Sequence, residues 1–301
     1  MGAPAIPPPP VSMSEPPAQR TSPDPAGSWP PWMAPAALVG GLVVAAVGAL
    51  LVDIPALAFG VDVSSSHIPP GLTIADTFVQ DLAFVAVAVF FAQLGSRTVS
   101  ASMFGLRPTR LLRAARLVAA TLAGFLLFSL IWSAIFHPGK EKLLEQLGTD
   151  ETTLLLVLSA GLTCVVAPIC EEFLFRGFIF TALRNWRGLW PAAIISGLLF
   201  GGVHAGSAPA VDLVPLAGLG FGLCLLYRAT GSLYPCIAAH SLNNSLAFGS
   251  LEGWTWWQVG ALMLAALAVI TLLALTLTRA GVISWGGSGD GSPVFTVTPD
   301  G

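Results

Sequence analysis

Eight apolar stretches follow one another through the chain, and few charges interrupt them. They run near Met33–Leu51, Thr77–Leu94, Leu117–Phe136, Thr153–Leu183, Trp190–His204, Val211–Leu226, Leu233–Phe248 and Trp257–Leu277. About 20 apolar residues in a helix cross the roughly 30 Å hydrocarbon core of a bilayer. In lipid every backbone N–H and C=O must find its partner inside the segment, which a helix provides. The expected fold class is therefore all-α, a polytopic membrane helix bundle of about eight transmembrane helices, with the lipid bilayer as its surroundings. Composition agrees: 54% of the 301 residues are hydrophobic and 10% are charged, where a soluble domain carries about 25% charged residues. That excludes an ordinary soluble enzyme and a disordered chain. A net charge of −3 gives no field that would attract a polyanion, so no nucleic acid is expected as a partner.

The ends differ from the middle. Residues 1–32 hold Pro7 to Pro10, Pro16, Pro17, Pro23, Pro25, Pro30 and Pro31, and such a segment neither forms a helix nor buries a core. It reads as a disordered, Pro-rich cytoplasmic tail. It lacks the apolar core region of a signal peptide. Residues 33–279 read as the transmembrane helical domain, and residues 280–301, Gly/Ser-rich from Gly286 on, as a flexible C-terminal tail. With the N-terminus inside, the inner segments collect Arg20, Arg97, Arg107, Arg110, Arg113, Arg116, Arg176, Arg184, Arg187, Arg228 and Arg279, which is 11 of the 13 basic residues. The outer loops keep only Lys140 and Lys142. Positive charge favours the cytoplasmic side, so the expected location is the cell membrane, multi-pass, with both termini cytoplasmic. Cys164, Cys170, Cys224 and Cys236 lie in apolar stretches without a CxxC pair, and read as buried apolar residues rather than metal ligands or disulfides.

Ionisable groups at membrane depth are costly unless paired or hydrated, so the few present are informative. They are Asp81, Glu171, Glu172, Arg176, His204 and His240, joined by Asn243 and Asn244. Asp81 falls near an outer end and reads as interfacial. Glu172 and Arg176 are four apart on one helical face and can pair, whereas Glu171 points about 140° away from Arg176. The segment thus holds a structural ion pair and one carboxylate left over, suited to taking a proton from water and passing it to a leaving amine. The alternative is a three-residue network that only ties helices together. His240 and Asn244 share a face, and Gly201-Gly202 before His204 removes bulk so that another backbone can approach. Counted at 1.5 Å per residue from the inner flanks, Glu171 is about 20 Å deep, His204 about 21 Å and His240 about 18 Å. Three separate helices therefore bring a carboxylate and two imidazoles to one layer. A shared site requires Glu171 within about 10 Å of an imidazole, since direct hydrogen bonds reach only about 3 Å.

Glu171-Glu172-x-x-x-Arg176, Phe200-x-x-x-His204 and His240-x-x-x-Asn244 resemble, in order, residue type and spacing, the three motifs of the CAAX-protease and bacteriocin-processing (CPBP, or Abi) family, intramembrane endopeptidases like the type II CAAX prenyl proteases. The likeness covers roughly residues 150–250, and the FGLR at Phe104–Arg107 adds a weaker one. The resemblance implies that Glu171 activates the attacking water, that His204 and His240 bind or polarise it, and that Asn244 donates to the oxyanion. Glu172 and Arg176 are then structural. It leaves the cofactor open: zinc or another divalent metal, with His204 and His240 as candidate ligands, or no metal at all. The HExxH arrangement that grips zinc one turn apart is absent. The implied function is hydrolysis of a peptide bond in a membrane-associated protein or peptide, and nothing in the sequence reads a prenyl group. Two other classes compete: a proton-coupled transporter, because buried carboxylates and histidines also relay protons, and a non-enzymatic immunity or scaffold protein in which the motifs are structural.

Overall fold

The computed structural model describes residues 29–63, 68–96, 98–137 and 146–283. Each of the eight apolar stretches is a helix, and no strand occurs among the described residues. Six helices are long and apolar enough to cross a membrane: α1 (Met33–Ala58), α2 (Pro70–Gly95), α3 (Leu111–Phe136), α4 (Thr153–Arg187), α6 (Leu213–Thr230, entered through a 3₁₀ turn at Ala210–Asp212) and α8 (Trp256–Arg279). The other two are α5 (Leu189–Gly202) and α7 (Leu233–Leu251). α5 is apolar but has only 14 residues. α7 has 19 residues, with His240, Ser241, Asn243, Asn244 and Ser245 lowering its apolar character. The chain is a multi-pass helical membrane protein.

Several helices run beyond their apolar stretches, because backbone hydrogen bonding continues where hydropathy falls. α2 starts at Pro70 rather than near Thr77, with Pro70 in the first turn, where its missing N–H is harmless. α3 starts at Leu111 and so takes in Arg113 and Arg116. Trp29, in the stretch that reads as a tail, is 2% exposed and packs its ring at a tilt against Phe104 and Phe178, so the packed bundle starts before Met33. The rest of residues 1–28 and the C-terminal stretch from residue 284 on lie outside the described residues.

α4 is the hub. Its lower half, Leu174 to Phe180, is buried without a break, and α1, α2, α5, α6 and α7 all pack against it. It is not a plain α-helix. Two π-helical turns, Leu162–Val166 and Phe173–Phe180, bracket an α-helical piece at Ala167–Glu172. Pro168 in that piece has no N–H to offer the carbonyls a turn earlier. α7 supplies the missing donors: Ser241 Oγ donates to Cys164 O at 2.6 Å and Asn244 Nδ2 to Thr163 O at 2.9 Å. A helix defect and a polar helix face thus complete each other.

The FGLR segment has a local structural task. Gly105 sits at φ 88°, a left-handed conformation that suits glycine, and a Cβ there would lie 2.5 Å from the Tyr227 ring. Leu233 N–H donates to Gly105 O, Tyr227 O–H to Phe104 O and Ser232 O–H to Arg107 O, while Arg107 Nε donates to Gly231 O. The segment clasps the α6–α7 turn and so sets the register in which α7 enters the bundle. All four cysteines are free and buried.

Candidate active site

The site is built on the α-helical piece of α4 between its two π turns. π-helical turns recur at functional sites because they shift side chains off the α-helical register. Glu172 is fully buried, and its Oε1 accepts two hydrogen bonds, from Arg176 Nη1 at 2.7 Å and from His240 Nδ1 at 2.9 Å. The expected Glu172–Arg176 pair is therefore present, and Glu172 has a second task as well. Arg176 is also fully buried: Nη2 donates to Gly220 O at 3.1 Å, and the guanidinium lies 4.4 Å from the Phe200 ring centroid.

Because His240 Nδ1 donates to a carboxylate, its Nε2 carries the lone pair. That Nε2 faces Glu171 Oε2 at 3.9 Å. Glu171 Oε2 is buried and has no hydrogen-bond partner among the described residues. Glu171 and the α7 imidazole thus share one site, well inside the separation that a joint role requires. The gap between them leaves both oxygen and nitrogen free to contact a small molecule such as water.

His204 ends the short helix. α5 rises about 20 Å at 1.5 Å per residue and stops short of the far side of a 30 Å core. The chain then turns through Val203–Ser207, and Ala205, Gly206 and Ser207 are exposed. Irregular backbone at membrane depth is tolerated where it lines a water-filled cavity, and a hydrolytic site needs that water. His204 Nδ1 donates to Phe200 O at 2.8 Å, so its Nε2 is also the free nitrogen. The buried Phe200 ring lies 5.1 Å from the His204 ring and 5.5 Å from the His240 ring, centroid to centroid, so both imidazoles neighbour one aromatic ring. Of the two glycines before His204, Gly201 is the one that permits close approach, since a Cβ there would lie 2.5 Å from Leu213 O; Gly202 faces open space. Asn244 is on the same helical face as His240, and its side-chain N–H bonds Thr163 O. One of its two amide hydrogens is therefore engaged in holding α7 to the first π turn.

Two imidazoles and a carboxylate are the donor set a catalytic zinc would use. Among the described residues, no three His, Cys, Asp or Glu side chains lie where they could hold a metal ion together. The residues present do not fit such a centre, and the chemistry below is derived from the side chains alone.

Asp81 corrects the sequence reading. It is fully buried, not interfacial. With α2 starting at Pro70, Asp81 lies 11 residues into the helix, about 16 Å along its axis. Both carboxylate oxygens lack a hydrogen-bond partner among the described residues, and its charge interacts with that of Glu171. Misplacing the start of α2 hid this residue; the rarity of a mid-helix Asp in an apolar stretch was the signal. A buried polar group without a partner costs about 1–3 kcal/mol. Asp81→Leu should therefore raise stability by an amount of that order, measured as a higher midpoint of thermal unfolding in detergent. An unchanged or lower midpoint would mean that Asp81 is hydrated or paired in the membrane.

Comparison with known proteins agrees with the three motifs. The family model described as type II CAAX prenyl endopeptidase Rce1-like matches residues 153–246, which runs from the start of α4 to the middle of α7. A protein of Bacillus subtilis (strain 168) named "Putative membrane peptidase YdiL" is 36% identical over 81 residues, 27% of this chain and 32% of that protein. An "Uncharacterized protein" of Mycoplasma capricolum subsp. capricolum is 33% identical over 93 residues, 31% of this chain and 27% of that protein. The chain thus spans about a third of the length of the curated relatives it matches. No solved structure matches. The part of the chain that carries all three motifs, residues 153–246, is thus similar to the type II CAAX prenyl endopeptidase, Rce1-like, family.

Proposed function

We propose that this protein is an intramembrane endopeptidase, with both termini on the cytoplasmic side, that hydrolyses a peptide bond in a membrane-associated protein or peptide. The observation that carries the proposal is Glu171 Oε2, buried and unbonded, facing the lone-pair nitrogen of His240 at 3.9 Å. A water held between them gives its proton to Glu171 while its oxygen attacks the scissile carbonyl carbon. The tetrahedral oxyanion is stabilised by the remaining N–H of Asn244, and the free nitrogen of His204 helps to hold the water. Glu171 then passes the proton to the amide nitrogen as the C–N bond breaks, which returns the site to its starting state. General acid–base transfer of this kind contributes about 10²–10⁴ in rate. Glu172 acts through His240 by fixing which nitrogen faces the water.

The test is a comparison of membrane proteomes from cells making the wild-type chain with cells making Glu171→Ala, His204→Ala or His240→Ala. Uncut precursors should accumulate in all three variants, with each variant present in the membrane at the wild-type level. Normal processing in all three would reject the protease, and would favour a binding role for the same fold.

A further inference from the structure

α3 is the loosest helix of the bundle; Ala114 is its only buried residue. Between α3 and α6 runs an apolar groove of about 630 Å³, lined along α3 from Leu117 to Phe128 and along α6 from Gly218 to Ala229. Small residues make it: Gly124 on α3 and Gly222 on α6 line it, and a Cβ on Gly124 would meet nothing within 4 Å. The groove has the volume of a small-molecule site. Eleven residues of helix cover about 16 Å, half of a 30 Å hydrocarbon core, so it has the length of one leaflet.

Its two ends differ in charge. At the end where α3 begins and α6 finishes, Arg113 reaches across and donates from Nη2 to Ala229 O at 3.1 Å. Arg110, which caps the start of α3, and Arg228, beside Ala229, are exposed at the same end. No Asp or Glu occurs in residues 98–137 or 213–251, so neither helix offers these arginines a carboxylate. Guanidinium groups favour bidentate contact with phosphate oxygens.

We propose that this groove binds one anionic phospholipid, with an acyl chain lying between α3 and α6 and the headgroup phosphate against Arg110 and Arg113. The occupant follows from the cation at the mouth, the apolar length of one leaflet and the missing Cβ atoms in the wall. The bound chain fills the contact that α3 lacks and ties it to the helix whose Gly220 carbonyl holds Arg176.

The full chain is placed in nanodiscs of equal phosphatidylglycerol and phosphatidylcholine, released, and its retained lipids are counted by native mass spectrometry. The expected result is one retained phosphatidylglycerol, preferred over phosphatidylcholine by about 25-fold, since each of the two basic residues near the anionic headgroup contributes about fivefold. Arg110→Gln with Arg113→Gln should bring the preference to within about twofold, while the two Arg→Lys changes together should keep it. Gly124→Leu, whose Cβ enters open space, should lower retention of either lipid. Equal retention of the two lipids by the wild type, or a preference unchanged in the double Gln variant, overturns the proposal. Retention unchanged in Gly124→Leu places the lipid elsewhere and overturns the groove.

Discussion

Cleavage by Glu172→Gln should fall about 10⁴-fold, the loss seen when an orienting carboxylate is removed from a catalytic histidine, although Glu172 touches neither water nor substrate in the proposed reaction. Its Oε1 is the acceptor for His240 Nδ1 at 2.9 Å, and a carboxylate can only accept there. The imidazole is thereby held with its lone pair on Nε2, the atom 3.9 Å from Glu171. A glutamine presents an amide N–H as readily as its carbonyl, and the ring can then turn over its tautomer and aim an N–H at Glu171. The shared water would lose an acceptor. The loss should appear in kcat with KM changed only a few-fold, since no substrate contact is removed. Cleavage is followed on the precursor that accumulates in Glu171→Ala cells. Glu172→Gln also strips Arg176 of its anion, so the measurement is repeated in Glu172→Gln/Arg176→Met, where no buried charge is stranded. Activity restored to within tenfold of wild type in that double variant would make Glu172 a stabiliser of Arg176 and nothing more.

The membrane class, the helix count and the common depth of Glu171 and His240 are legible in hydropathy and residue counting, because each depends on distance along a single helix. The i,i+4 pairing of Glu172 with Arg176 was legible for the same reason. What the sequence concealed depends on contacts between helices. The second bond on Glu172 comes from α7, 68 residues away. The π turns of α4 leave no mark in a run of apolar residues; only Pro168 hints that a carbonyl nearby lacks a donor, and the donors, Ser241 and Asn244, lie on another helix. Spacing puts Asn244 on the face of His240, but its bond to Thr163 emerges only once α4 and α7 are docked. Asp81 reads as interfacial rather than buried because the apolar stretch begins seven residues after the helix does.

Arg176 sets the largest expected change in stability. Its guanidinium is fully buried, with Glu172 Oε1 at 2.7 Å, Gly220 O at 3.1 Å and the Phe200 ring at 4.4 Å, while Nε has no hydrogen-bond partner among the described residues. Removing one partner of such a buried pair leaves the other charge without compensation and costs about 3–5 kcal/mol, whereas replacing the pair by apolar groups of like volume is often close to neutral. Arg176→Met should therefore destabilise by about 3–5 kcal/mol, measured by chemical denaturation in mixed micelles. Most of that loss should return in Glu172→Gln/Arg176→Met, because the stranded carboxylate is gone and Gln can still accept from His240. The two single changes are thus strongly coupled, and their sum overestimates the double. Additive effects would mean that Glu172 and Arg176 are separately neutralised, Glu172 by a protonated His240. Because Arg176 also joins α4 to α6 through Gly220 O and supports the ring between the two imidazoles, its loss should loosen the spacing of His204 and His240 even where the bundle survives. Cleavage by the double variant should therefore fall below that of Glu172→Gln alone at a temperature where both folds are intact, which separates the placement of the imidazoles from the stability of the helices that carry them.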